Sequence, residues 1–278
     1  DFLVFAQGQQ LFIIADNQKY RIPAILFVIP ERLGTGREYF PNLDDYWKGR
    51  ASWEALYSSH RRQPYLTWQE LEAMHATGLV HVASHGLRHD VVCVSRRVID
   101  FQHPGVYEMP VYFDEWVASG TPLTDGIWGV PVYERAWSPL AQNIYVPDPG
   151  IDILMNRFVK DNGGFFFFKR KNWRRKLFDY HVLHRHEAVA GLFKKNQSAE
   201  EERTSVVDSR RQIQERLRSS CLYFSLPLYQ SSPRTLDFAD EAGYKAVFTG
   251  PWTPSSKQAP VPCLNRIPGF WLQFLAYL

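Results

Sequence analysis

The sequence predicts an α/β fold: a single domain over residues 1–278, built on parallel strands, with a large aromatic-rich insertion at about 91–205. Two observations lead there. At both ends of the chain, short continuous apolar runs alternate with capped or amphipathic segments, which is the pattern of βαβ units. Between them the composition shifts to Pro, Gly and aromatics without a long helical period, as in "GVYEMPVYFDEW", "GIWGVPVYERAW" and "GGFFFFKRKNWRRK". A chain of 278 residues is long enough to bury a substantial core in this form.

The elements follow in order. "FLVF" (2–5) and "AILFVIP" (24–30) read as buried strands ended by turn residues, and "QQLFIIADNQKYR" between them has the length of a crossover helix. In "TWQELEAMHATG", Thr67 and Glu70 form a capping-box pattern, Leu71 and Met74 supply an apolar face, and Gly78 ends the helix. "LVHVAS" is the next strand. "FFFF" (165–168) reads as a buried strand inside the insertion. "SAEEERTSVVDSRRQIQERL" (198–217) is an amphipathic helix with Val206, Ile213 and Leu217 on one side. Strand "CLYFSLP", helix "SPRTLDFADEAG" with Ser232 as cap and Gly243 as stop, and strand "YKAVFTG" complete the alternation.

Composition excludes several classes. A net charge of +3 gives no concentrated basic face for nucleic acid. No run approaches a membrane span, and the tail "GFWLQFLAYL" is too short for one. Three scattered cysteines, Cys93, Cys221 and Cys263, form no disulfide or zinc-cysteine framework. With no visible leader segment, the expected compartment is reducing and cytoplasmic.

"VHVASHGLRHD" (80–90) carries the chemistry. His85 and His89 stand four apart just past a strand, at the end where α/β folds build their sites, with the spacing of a two-imidazole metal site. Taken alone, such a pair is more often two turn histidines without a metal.

In this order, "IPAILFVIP", "TWQELEAMHATGLVHVASHGLRHD", "VVDSRRQIQERL", "YFSLPLYQSSPRTLDFADEAGYKAVFTG" and "LNRIP" resemble the polysaccharide deacetylases, the NodB-homology or carbohydrate esterase family 4 group. The resemblance spans roughly half the chain, at its two ends. It implies a distorted (β/α) barrel of about seven strands. It also implies hydrolysis of an acetyl group from a sugar or polysaccharide precursor, with a divalent metal, usually zinc. His85 and His89 fall on the family's two metal-histidine positions.

Other parts of the family pattern are missing. Its first strand reads T-F-D-D-G, whose two aspartates are third ligand and general base. Here that strand reads "DFLVFAQGQ", so the pair becomes Ala6 and Gln7, or Leu3 and Val4 in an ungapped count from "RIPA". The family's C-terminal histidine, its general acid, has no counterpart after His186. The pocket loop F-x-Y-P-Y-G becomes "FSLPLYQ", which keeps Pro227 and places Tyr229 in the loop. The resemblance therefore implies a weakly held metal, and either an enzyme with a substitute carboxylate or an inactive relative that binds glycan or serves in assembly.

Candidates for compensation are Asp90, directly after His89, the carboxylates Asp16, Asp100, Asp114 and Asp148, and the cluster "HVLHRHE" with His181, His184 and His186. On a strand His184 and His186 share a face; on a helix His181 and His184 do. A solvated face is the plainer reading of that cluster. Trp116 and Trp137, with Tyr107, Tyr112, Trp128, Tyr133 and Tyr145, offer either a sugar-stacking wall or the insertion's own core. "KRKNWRRK" (169–176) suits an acidic glycan or diphosphate, or simply a solvated face.

Overall fold

A computed structural model describes residues 3–6, 21, 23–34, 43–52, 54–55, 66–104, 127–185, 192–196, 198–250 and 259–266. The chain divides into two compact units, Asp1–His89 with Ala199–Leu278, and Asp90–Ser198.

The first unit holds a six-stranded sheet. Its strands are β1 (Leu3–Ala6), β2 (Ala24–Val28), β3 (Val80–Ser84), β8 (Tyr223–Ser225), β9 (Ala246–Thr249) and β10 (Cys263–Asn265). They lie side by side in chain order, and every pairing is parallel. Each connection therefore adds its strand to the same growing edge, and right-handed crossovers then place the connecting helices on one face. Strands covered on both faces need no polar alternation, and all of β2 and β9 is buried.

The sheet is curled. Phe27 of β2 and Phe248 of β9 lie three strand positions apart, about 14 Å on a flat sheet. Their ring centroids nevertheless meet at 5.1 Å, in a cluster with Ile25 and Ala83. Contact across two intervening strands requires the concave face to close around these side chains, as in an arc of a barrel. The expected barrel of about seven strands is corrected to this extent: among the described residues the sheet has six strands, and β1 and β10 do not pair to close it.

Helix α1 (Leu43–Trp47) is short. Helix α2 (Trp68–Ala76) starts on the expected capping box, with Glu70 N donating to Thr67 Oγ1 at 3.2 Å and Thr67 N to Glu70 Oε2 at 2.8 Å. Helix α5 (Ser198–Leu217) buries Val206 and Ile213 as expected, and also Glu202, Ser205 and Ser209. Helix α6 (Pro233–Ala242) is capped by Ser232 and ended by Gly243 at φ +84°. The crossover expected at 9–21 lies outside the described residues apart from Arg21.

In the second unit, β4 (Val91–Phe101) pairs antiparallel with β5 (Pro131–Trp137), and β6 (Asn143–Val146) with β7 (Leu192–Lys195). Two helices, α3 (Pro149–Asp161) and α4 (Trp173–His184), correct the expectation that the insertion shows no long helical period before residue 198. Asp148 caps α3 by accepting from Gly150 N at 2.9 Å, and Pro149 fills the first turn. Ile151, Met155 and Val159 recur at the helical period and pack with Phe101, Phe167, Trp173 and Leu177. Gly129 is required where the turn before β5 meets α3: a Cβ there would lie 2.5 Å from Val159 Cγ2, on a backbone with φ +87°.

"FFFF" is not a strand. Gly164–Lys169 forms a 3-10 helix that buries only Phe167, with Phe166 74% exposed. Gly163 and Gly164 both take positive φ, so the chain enters this segment through a turn rather than an extended run.

Candidate functional site

The histidine turn is built by β3 and clamped by its neighbours. His85 N donates to Val28 O at 2.8 Å, extending the β2–β3 ladder by one residue. Gly86 then takes φ +83°, and its N–H reaches Ser84 Oγ at 3.2 Å. Leu87 N donates to Ser205 Oγ of α5 at 3.1 Å, while Ser84 Oγ donates to Ser209 Oγ at 2.7 Å. From the other side Glu31 N donates to Leu87 O, and Arg88 pairs with Glu31 at 2.6 Å. His89 ends the turn at φ +59°, a left-handed conformation uncommon outside glycine.

These constraints bring the two imidazoles together. Both residues are buried, and their ring centroids lie 4.9 Å apart. His85 Nδ1 lies 2.8 Å from Ser225 O at the end of β8. A carbonyl only accepts, so Nδ1 carries the proton and Nε2 keeps its lone pair. Burial first, then the neighbouring His89 and Arg266, hold the His85 pKa well below the ordinary 6.5. The ring is therefore neutral and a competent ligand.

The rim is formed by the ends of β8, β9 and β10. Arg266, immediately after β10, donates from Nη2 to Leu226 O at 2.9 Å and from Nε to Thr249 O at 3.4 Å. Its guanidinium stacks over Tyr229, 4.3 Å from the ring centroid. Burial lowers the Arg266 pKa. Pro227 is buried and opens a 3-10 turn in which Leu228 and Tyr229 take φ +52° and +59°.

The residues expected from the sequence distribute as follows. His85 and His89 stand together, and Pro227 and Tyr229 lie just past β8, whose end binds His85. Ala6 is the last residue of β1 and pairs with Phe27, near the C-terminal end of β2, whereas Leu3 and Val4 pair with Ala24 and Ile25 at its start. The strand-end position is thus Ala6, which no carboxylate occupies. Gln7, Trp116, His186, Asp16 and Asp114 lie outside the described residues.

Trp137 is corrected as a sugar-stacking residue: it is fully buried and offers no face to a ligand. Tyr133 and Tyr145 are buried too, their rings 5.2 Å apart, as packing residues of the second unit. Asp100 is held by Arg174 at 3.0 Å, and Asp148 is a helix cap. His181 and His184 share a face of α4, the helical alternative of the two. Among the described residues no three of His, Cys, Asp and Glu gather in metal-binding geometry. Arg266 was missed by the sequence reading; a charged residue directly after a strand of a parallel sheet was the signal.

No family model and no curated protein matches the chain. Among solved structures it is similar to the deacetylase domain of BpsB from Bordetella bronchiseptica, at 12% identity and a TM-score of 0.48, covering 95% of this chain and 69% of that one. It is also similar to a de-N-acetylase from Aggregatibacter actinomycetemcomitans, at 13% identity and a TM-score of 0.47, covering 96% and 68%. A third likeness is to IcaB from Ammonifex degensii, at 16% identity and a TM-score of 0.39, covering 99% and 71%. The chemistry is read from the residues of this chain.

Proposed function

We propose that this chain is a polysaccharide-deacetylase-like hydrolase that removes an acetyl group from a sugar of a glycan, using a divalent metal at His85 and His89. One observation carries the reading. Two buried imidazoles meet at the C-terminal end of a parallel strand, one with its tautomer fixed by Ser225 O so that Nε2 keeps its lone pair. The sequence pattern around the pair supports it independently.

The donors present suit zinc in kind, since neutral imidazoles are favoured zinc ligands. In number they fall short, because no carboxylate joins them among the described residues. A metal held there would supply Lewis acidity toward an acetyl carbonyl and toward water. The chain's own contribution is preorganisation. Ser225 O orients His85, Ser205 and Ser209 brace the turn, and burial keeps the His85 ring neutral.

The absent strand-end carboxylate favours a second reading, an inactive relative that binds glycan or acts in assembly. A base and an acid at their stations are each worth roughly 10²–10⁴ in rate. Acetate release from N-acetylglucosamine oligomers, measured with added zinc, distinguishes the two. The enzyme reading expects weak release that His85→Ala removes. Glycan binding without any release supports the second reading, and neither release nor binding refutes both.

A further inference from the structure

We infer that Arg266 and Tyr229 form a carboxylate-binding corner beside the imidazole pair, which takes acetate or the carboxylate of an acidic sugar. The inference deepens the proposed function but does not need the metal. Its first ground is placement. Ser225 O accepts from His85 Nδ1 and the next carbonyl, Leu226 O, accepts from Arg266 Nη2. Successive carbonyls at one strand end thus set an imidazole and a guanidinium side by side. Thr249 O, at the end of β9, fixes the guanidinium from a second direction.

The second ground is the donor count. A guanidinium has five N–H donors in a planar fork, and two are used here, by Leu226 O and Thr249 O. Among the described residues the remaining three meet no acceptor, and no carboxylate pairs with Arg266. A half-buried cation without a counterion is costly. Stacking on Tyr229 holds the plane of the fork, and Tyr229 is 49% exposed, so the pair borders solvent. A rigid fork of this kind matches the two oxygens of a carboxylate.

The third ground is strain. Among the described residues five non-glycine positions take positive φ, and three of them, His89, Leu228 and Tyr229, lie in the histidine turn or under Arg266. Such a left-handed backbone is strained for a residue with a Cβ. In the left-handed pair at Leu228 and Tyr229, the Tyr229 ring stacks against the guanidinium.

The test is calorimetric titration of the full metal-free chain with acetate, a glucuronic acid oligomer and inorganic phosphate. At least one carboxylate should bind, more weakly as salt rises. Arg266→Gln should weaken it about tenfold or more, the size expected for a lost charge-assisted pair. Arg266→Lys, which keeps charge but not the fork, should bind in between. Tyr229→Leu, at an exposed position, should weaken binding without unfolding and covers the case in which Arg266→Gln fails to fold. His85→Ala should leave carboxylate binding in place while removing metal binding, so the two proposals fail separately. Acetate alone assigns the corner to the reaction product, and glucuronate alone assigns it to an acidic sugar. Tighter binding of phosphate than of either carboxylate, no carboxylate binding, or binding indifferent to both Arg266→Gln and Tyr229→Leu would overturn the inference.

Discussion

Two histidine pairs among the described residues have opposite characters. His85 and His89 lie on a turn past β3; His181 and His184 lie one helical turn apart on α4. Both pairs have a spacing from which metal sites are built. His85 has its Nδ1 tied to a main-chain carbonyl, on a turn held by hydrogen bonds from α5 and the segment after β2. His181 is instead buried among aromatics, with ring centroids of Phe101 and Tyr133 at 6.4 and 6.5 Å. Burial and Arg185 lower its pKa, as they would for any packed imidazole. Spacing alone therefore identifies neither pair as a site. The two rings differ in what lies behind them: a main-chain carbonyl at His85, an aromatic core at His181.

The largest effect expected from this contrast is on metal affinity. Zinc titration should show binding that His85→Ala or His89→Ala lowers by about 100-fold or more, since even an outer-shell partner is worth about 10–100-fold. His181→Ala should leave it unchanged. Equal losses from both pairs, or loss from His181→Ala alone, would erase the distinction and move the site to the second unit.

A smaller effect is expected behind the turn. Ser205 Oγ accepts from Leu87 N in a buried setting. Ser205→Ala leaves that donor without its acceptor and should cost about 1–3 kcal/mol in urea unfolding. It should also weaken zinc binding, because the turn would lose its brace. A stability loss with unchanged zinc affinity would show that the turn's geometry is set elsewhere.

The two regions also differ in how far their sequence could be read. In the first unit local signals decide local structure. Thr67 with Glu70 starts α2, Ser232 and Gly243 bound α6, and residues 198–217 are one helix, because caps and breakers act within a few residues. What escaped there is tertiary. Glu202, Ser205 and Ser209 look like a polar face of α5 but are buried: the two serines reach the histidine turn, and Glu202 bonds Ser232 and Thr235. Arg266 has meaning only once three strand ends converge. In the second unit the aromatic-rich composition hid two periodic patterns, Ile151–Met155–Val159 and Trp173–Leu177–His181, although the Asp148–Pro149 start signal was available. Four consecutive phenylalanines carry no periodicity, so burial alone cannot separate a strand from a 3-10 turn there.

The smallest effect expected is the pH dependence of stability, and it tests both rings together. The folded pKa of His85, and that of His181, lies below the ordinary 6.5. The unfolded chain therefore binds more protons than the folded one once pH falls below 6.5, and stability drops as pH falls toward the folded pKa. Each group contributes at most about 1.4 kcal/mol per pH unit in that window, and nothing above it. Urea midpoints measured at pH 7.5 and 5.5 should fall on acidification in the wild type. His85→Gln and His181→Gln should each flatten the fall, because each removes one ring that is held neutral. Zinc separates them. At pH 7.5 it should raise the midpoint of the wild type and of His181→Gln but not of His85→Gln, since only a ligand that binds the folded state stabilises it. A zinc-dependent rise in His85→Gln would mean that the neutral ring past β3 is, like the one on α4, a packed histidine and no more.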